Sequence, residues 1–288
     1  MKRILGVIRE YRPVANQLQK SFIGLWRWLP IIAILVPGRI PPRNGMLQYW
    51  RNSHIINVRM RTGGHLRCRI AEFFSIVEIY GQGIYASPLL NYRYAKTIVD
   101  IGANVGVATI WLSQMAPNAQ ILAIEPDIQT AKILQENIEL AQLANRAKVI
   151  VGAVGGNSGT GVIMRSPVAS GISHVVPNTI TTESDNITTF ESSDLVPMMT
   201  LLDIVDVVGS IDILKIDCEG SEFDFFGSAS LSSLRKIQSI IGEYHLDAGS
   251  FADLNERLSE GGFAVECLDE NDVAGMFIAT RIAGDIPK

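Results

Sequence analysis

Three short stretches hold side chains whose types and spacing could do chemistry. The first is Val99-Asp-Ile-Gly-Ala-Asn-Val-Gly106, which sets Asp100, Gly102, Ala103, Asn104 and Gly106 within one turn. It follows a β-branched run and precedes a helical pattern, the place where an open α/β sheet meets a nucleotide-like ligand. Gly102 permits a tight turn and Gly106 a close backbone approach. The pattern is D-x-G-x-x-x-G, not G-x-G-x-x-G, so a carboxylate stands where a dinucleotide fingerprint has its first glycine. That charge would repel a pyrophosphate. It would favour S-adenosylmethionine (SAM), which carries an ammonium and a sulfonium against one carboxylate. The second stretch is Glu125-Pro126-Asp127, 25 residues beyond Asp100. An acid there can accept hydrogen bonds from both ribose hydroxyls. Downstream, Val151-Gly-Ala-Val-Gly-Gly156 offers small residues, Ala153 among them, where a flat adenine ring needs room. The third stretch, Ile211-Asp-Ile-Leu-Lys-Ile-Asp-Cys-Glu-Gly-Ser-Glu222, reads as a buried strand that empties into Asp217, Glu219 and Glu222.

The elements that must position these residues follow from periodicity. Thr97–Ile101, Gln120–Ile124, Lys148–Val151, Ile211–Ile216 and Ile237–Ile241 read as strands. Between the first three, Ala108, Trp111, Leu112 and Met115, then Ile128, Ala131, Leu134, Ile138 and Ala141, fall at helical spacing. Strands alternating with helices in this way imply βαβ units and a mainly parallel sheet. Leu201–Val208 and Phe251–Leu258 read as further helices, and Phe263–Leu268 with Ala274–Thr280 as a closing hairpin. Upstream, Ile55–Arg61 and Leu66–Ile70 form a second predicted hairpin, followed by an apolar helix through Phe73, Ile76 and Ile79. Trp50, Tyr80, Tyr85 and Tyr92 nearby could serve as a lid over a cofactor or as apolar filling. Residues 157–200 change character, with 14 Ser or Thr in 44 positions. They read as loops and short irregular strands in a substrate-facing insertion that contains His174.

The chain has 288 residues, 47% hydrophobic and 19% charged, which excludes a disordered or coiled-coil protein. We divide it into an extension 1–45, a hairpin and helix 46–96 leading into the core, and a main domain 97–288. Three cysteines, far apart and outside any CxxC spacing, argue against a disulfide framework or structural zinc and suit a reducing compartment. The net charge of −4 hides an uneven split: residues 1–70 hold 13 of the 25 Lys and Arg and one acid, Glu10. Such a basic arm could pair with the acidic body or meet an anionic surface. Its apolar stretch Phe22 to Val36 is interrupted by Arg27 and Pro30 and is shorter than the ~20 residues of a spanning helix. No small-x-small cleavage site follows it, so it is also a poor signal peptide. A cytoplasmic protein is expected, with residues 1–45 either docked on the body or in peripheral contact with an anionic membrane. No nucleic-acid partner is expected.

Taken in order, the DIGAN motif at Asp100–Asn104, the EP pair at 125–126 and the K-I-D-x-E-G-x-E run at 215–222 resemble the FkbM-type SAM-dependent methyltransferases. The resemblance covers roughly Met46 to Ile282. It departs in Phe226, where leucine is usual before Gly227, and the first ~45 residues have no counterpart. It implies an α/β, Rossmann-like class I methyltransferase fold: a mainly parallel seven-stranded sheet with helices on both faces and an antiparallel last strand. It also implies SAM as cofactor and a hydroxyl acceptor on a sugar, glycolipid or secondary metabolite. Carried over, Asp100, Gly102, Ala103, Asn104 and Gly106 would surround the methionine part, Glu125 and Pro126 the ribose, and Ala153 the adenine. Asp217 would lie at the mouth where cofactor meets acceptor.

An alcohol must lose its proton, and the candidate bases are His245, Glu243 and Asp217, of which a histidine titrates nearest neutrality. A divalent metal held by Asp217, Glu243 and a third oxygen is a less favoured reading than two separate solvated acids. Two rivals stand beside the methyltransferase reading: a SAM-binding or membrane-associated scaffold without catalysis, and an NAD(P) oxidoreductase, which Asp100 disfavours.

Overall fold

The computed structural model describes residues 17–23, 52–62, 65–164, 174–177 and 194–282. Its first elements form a small antiparallel sheet in the order β1 (Phe22–Ile23), β2 (Ile55–Met60) and β3 (His65–Arg69). Phe22 faces Met60 across β1 and β2. Leu18 and Phe22 are buried, and the Phe22 ring meets Tyr80 edge-on at 4.8 Å. Residues 17–23 are therefore built into the body, and a boundary at 45 falls too late for them. Helix α1 (Phe73–Ile76) then widens into a π-helical turn, Val77–Gln82, in which the Gly83 amide bonds the Glu78 carbonyl five residues back.

The main domain alternates as its periodicity predicts. In chain order come β4 (Thr97–Ile101), α2 (Val107–Met115), β5 (Gln120–Glu125), α3 (Ile128–Leu140) and β6 (Ala147–Val151). They are followed by β7 (Ala153–Val154), β8 (Gly159–Met164), β9 (His174–Pro177), β10 (Asp194–Met199), α4 (Leu201–Val208) and β11 (Ile211–Ile216). The chain closes with α5 (Glu222–Ser228), α6 (Leu231–Leu234), β12 (Ile237–His245), α7 (Phe251–Glu260), β13 (Phe263–Glu270) and β14 (Ala274–Arg281). The central sheet has seven strands in the order β13-β14-β12-β11-β4-β5-β6. β14 is antiparallel to both its neighbours, and the pairings from β12 to β6 are parallel.

Strands covered on both faces must be apolar throughout, and the four residues Ile98–Ile101 of β4 are all buried, Asp100 among them. One core gathers Ile98, Ile110, Leu134 and Ile138, from β4, α2 and α3. The other gathers Val99, Ile204, Phe225 and Leu258, from β4, α4, α5 and α7. The strand order reverses between β4 and β11, where the chain leaves for β5 on one side and returns to β11 on the other. That switch point is where ligands of open α/β sheets bind.

Two differences from the sequence reading bear on the site. The described parts of residues 157–200 are regular strands rather than loops and irregular ones: β8 and β10 pair antiparallel over five register positions, and with β7 and β9 they build a four-stranded sheet. Strand β12 continues past Ile241, through Gly242, to His245. A Cβ on Gly242 would stand 2.2 Å from the Ile216 carbonyl, so the close fit of β11 on β12 requires glycine there. Among the described residues no helix is long and apolar enough to cross a membrane. Most of 1–45, Trp50 and the side chain of His174 lie outside the described residues.

Candidate active site

β4 ends at Ile101 and the chain turns through Gly102, Ala103 and Asn104 before α2. Gly102 has φ +69°, and a Cβ there would lie 1.7 Å from the Asp217 carbonyl. Glycine alone lets the turns after β4 and β11 touch. Asn104 takes a left-handed φ of 48°, which an asparagine tolerates better than most residues. Gly106, at φ +88°, caps α2 against Leu134. β5 delivers Glu125, whose Oε2 accepts the Asn104 amide and whose Oε1 accepts the Asp127 amide, both at 2.9 Å. Asp127 in turn caps α3 by accepting the Thr130 amide at 2.8 Å. One buried carboxylate thus ties two sheet-end turns together.

These turns wall a cavity that opens to solvent. Its lining includes Gly102, Ala103, Asn104, Glu125, Pro126, Gly152, Ala153, Asp217 and Glu219, with Ser75, Ile79 and Tyr85 closing it from the N-terminal segment. The Asn104 Oδ1 is buried there without a hydrogen-bond partner. Of the expected lid, Tyr85 is a fixed wall: it is buried, and its hydroxyl donates to Asp217 Oδ2 at 3.4 Å. Tyr80 and Tyr92 belong to the core, Tyr92 packed edge-on against Trp111.

Asp100 and Gly106 are not on the wall. Asp100 is fully buried behind it, accepting from Thr109 Oγ1 at 2.6 Å and pairing with Lys215 Nζ at 3.1 Å. This corrects the expectation that its charge meets a ligand cation, because Lys215 already neutralises it. The two residues are register partners on β4 and β11. Lys215 also donates to the carbonyls of Ile101 (3.1 Å) and Gly102 (2.8 Å), which pins the turn. Burial opposes its charge, but Asp100 and Asp217 raise its pKa above the ordinary lysine value. Lys215 opens the K-I-D-x-E-G-x-E run but has no role in the sequence reading; a lysine inside the apolar run Ile-Asp-Ile-Leu-Lys-Ile is the signal for one, since such a charge must be paired.

The mouth of the cavity is crowded with acids. Asp217, Glu219 and Ser221 line it after β11, and Glu219 holds a left-handed φ of 53°, a strain typical of functional turns. Burial raises the Glu219 carboxyl to about 8, with Asp217 adding to it. Burial and then Asp217 raise Glu243 to about 7. Glu78, on the π-helical turn, is pushed to about 8 by burial, then by Glu243 and Asp217. This third element was not foreseen as a contributor. Burial likewise raises Glu125 to about 7, against the two amides it accepts.

His245 ends β12 with both ring nitrogens turned to carboxylates. Nδ1 lies 3.3 Å from Glu222 Oε1 and Nε2 3.4 Å from Glu219 Oε2. Burial lowers its pKa, but Glu222 and Glu219 outweigh it and carry the ring to about 9. Geometry counts against the expected histidine base: both ring nitrogens face carboxylates, and His245 is not on the cavity lining. His245 and Glu243 stand behind the cavity wall, whereas Asp217 is on it.

A seven-stranded sheet of this order, with acids at the ends of β5 and β11 around a cavity at the switch point, defines the Rossmann-like methyltransferase class. Residues 100–265 match the family model described as the methyltransferase FkbM domain. The chain belongs to that family. It is similar to methyltransferase sdnD of Sordaria araneosa, at 23% identity over 67% of this chain and 86% of that one. It is also similar to methyltransferase 1 of Beauveria bassiana, at 25% identity over 58% of this chain and 72% of that one. Among solved structures, the O-methyltransferase from Bacillus cereus in complex with SAH aligns at 16% identity and a TM-score of 0.40, over 70% of this chain and 80% of that one.

Proposed function

We propose that the protein transfers a methyl group from SAM to a hydroxyl oxygen of a sugar, glycolipid or other secondary metabolite. The observation that carries this reading is a single cavity walled by Glu125 at one end and by Asp217 at the acid-lined mouth. The residues present fit the cofactor. The orphaned Asn104 Oδ1 can accept from its ammonium, Glu125 can receive ribose hydroxyls, and Gly152 with Ala153 leave room for a flat ring. When bound, SAM supplies the methyl group and the sulfur that departs as a neutral thioether. The protein's own part is alignment, worth several powers of ten when reacting atoms are held about 3 Å apart. Asp217, on the cavity wall, is the nearest of the candidate bases to an acceptor in the mouth and takes its hydroxyl proton. Tyr85 steadies that carboxylate, and the surrounding walls exclude water.

The test uses full-length protein, methyl-labelled SAM and fractionated hydroxylated extracts. Label appearing as a base-stable methyl ether supports the proposal. Stoichiometric SAM binding without transfer to any fraction would favour the scaffold that binds cofactor and does no chemistry.

A further inference from the structure

Three ligand-type side chains converge beside the acceptor end of the cavity. Asp217, Glu219 and His245 offer ligand atoms that all lie within 4.8 Å of one another. Glu222 adds an independent observation. It is wholly buried, its Oε1 accepts the Cys218 amide at 2.8 Å and faces His245 Nδ1 at 3.3 Å, and its Oε2 has no hydrogen-bond partner. A buried carboxylate on one ring nitrogen is the usual support of a metal-binding histidine: it holds the proton on Nδ1 and leaves the Nε2 lone pair free to coordinate. Nε2 here points to Glu219, 3.4 Å away. The nearby lysine, Lys215, is already committed to Asp100.

We propose that Asp217, Glu219 and His245 form a divalent-cation site, with Glu222 as the group that positions His245. Two carboxylates and one imidazole suit a cation that accepts both oxygen and nitrogen, for which Mn²⁺ is the natural probe and Zn²⁺ the competitor. Asp217 and Glu219 both line the cavity, so the remaining coordination positions face the space an acceptor would enter. There the cation can hold a hydroxylated acceptor and acidify it, its proton passing to the Asp217 carboxylate oxygen that does not bind the cation, a role that rests on the methyltransferase reading, whereas the binding itself does not.

Titration of Mn²⁺ into the full chain, followed by loss of the free-ion paramagnetic resonance signal, should give one site per chain. Glu219→Gln and His245→Ala should each weaken it at least tenfold, and Glu222→Gln by about 10–100-fold. Melting curves identify any variant that fails to fold, and Glu219, partly exposed at the rim, is the safest substitution. Failure of the wild-type chain to take up Mn²⁺, Zn²⁺ or Mg²⁺ overturns the site, as does uptake unchanged by Glu219→Gln. Calorimetry with SAM in EDTA separates the two readings. SAM binding by a chain that takes up no cation leaves the methyltransferase reading standing and removes the metal; cation uptake without SAM binding does the reverse.

Discussion

Glu125 holds two backbone amides, Asn104 and Asp127, while facing the cavity. Its carboxylate is the scaffold of the turn as well as the proposed ribose acceptor. Losing charge-assisted bonds to two hydroxyls costs on the order of 2–3 kcal/mol. Glu125→Ala should therefore weaken SAM binding by tens of fold in calorimetry, and should lower the melting temperature because two amides lose their acceptor. Unchanged affinity would remove Glu125 from the site. Lys215 lines the same cavity and also holds the turn behind it. Lys215→Met leaves Asp100 charged and buried with Thr109 as its remaining side-chain partner, a loss of about 3–5 kcal/mol in denaturant unfolding. A double variant with Asp100→Leu should recover much of that loss, since an apolar pair of similar volume avoids both desolvation costs.

At the scale of elements, the two turns at the switch point are fitted to each other through Gly102. Gly102→Ala meets both a left-handed φ and the Asp217 carbonyl, whereas Gly209→Ala meets a left-handed φ of +81° with nothing within 4 Å. A strained backbone alone costs about 1–3 kcal/mol. Gly102→Ala should exceed Gly209→Ala in its effect on the unfolding midpoint and should also abolish SAM binding; equal midpoints would mean that the turns can part without cost. Much of this framework was legible. β4, α4 and β11 have the bounds their periodicity predicts, because apolar runs between clear breakers leave little choice. The pairing of Asp100 with Lys215 was not legible, since it depends on strand register between residues 115 apart. Nor was Glu78, which reaches the acids from a different element through an irregular helical turn. Helices α5 and α6 are too short to print a stripe of their own, and β8 and β10 gain their order from each other rather than from local propensity.

For the whole molecule, the concentration of raised carboxyls sets the direction of pH dependence. Glu78, facing Glu243 and Asp217, and Glu125, facing Asp127 and Lys215, both have folded pKa values above the ordinary 4.5, at about 8 and about 7. Their contribution to stability is full below about pH 4.5 and is lost as pH rises through 7 to 8, where the folded chain must ionise acids it has buried. The melting temperature in EDTA should fall between pH 5 and 8.5, and Glu78→Gln should flatten part of that fall; a melting temperature that climbs over this window would contradict the burial of these groups. The buried N-terminal residues carry a consequence in time. Phe22 is synthesised 38 residues before Met60, its partner across β1 and β2, and still longer before Tyr80, its ring partner. At ~5–20 residues per second, the first of these waits lasts roughly 2–8 s. During biosynthesis the Phe22 side chain is therefore left without its apolar partners, open to chaperones, until those partners are made.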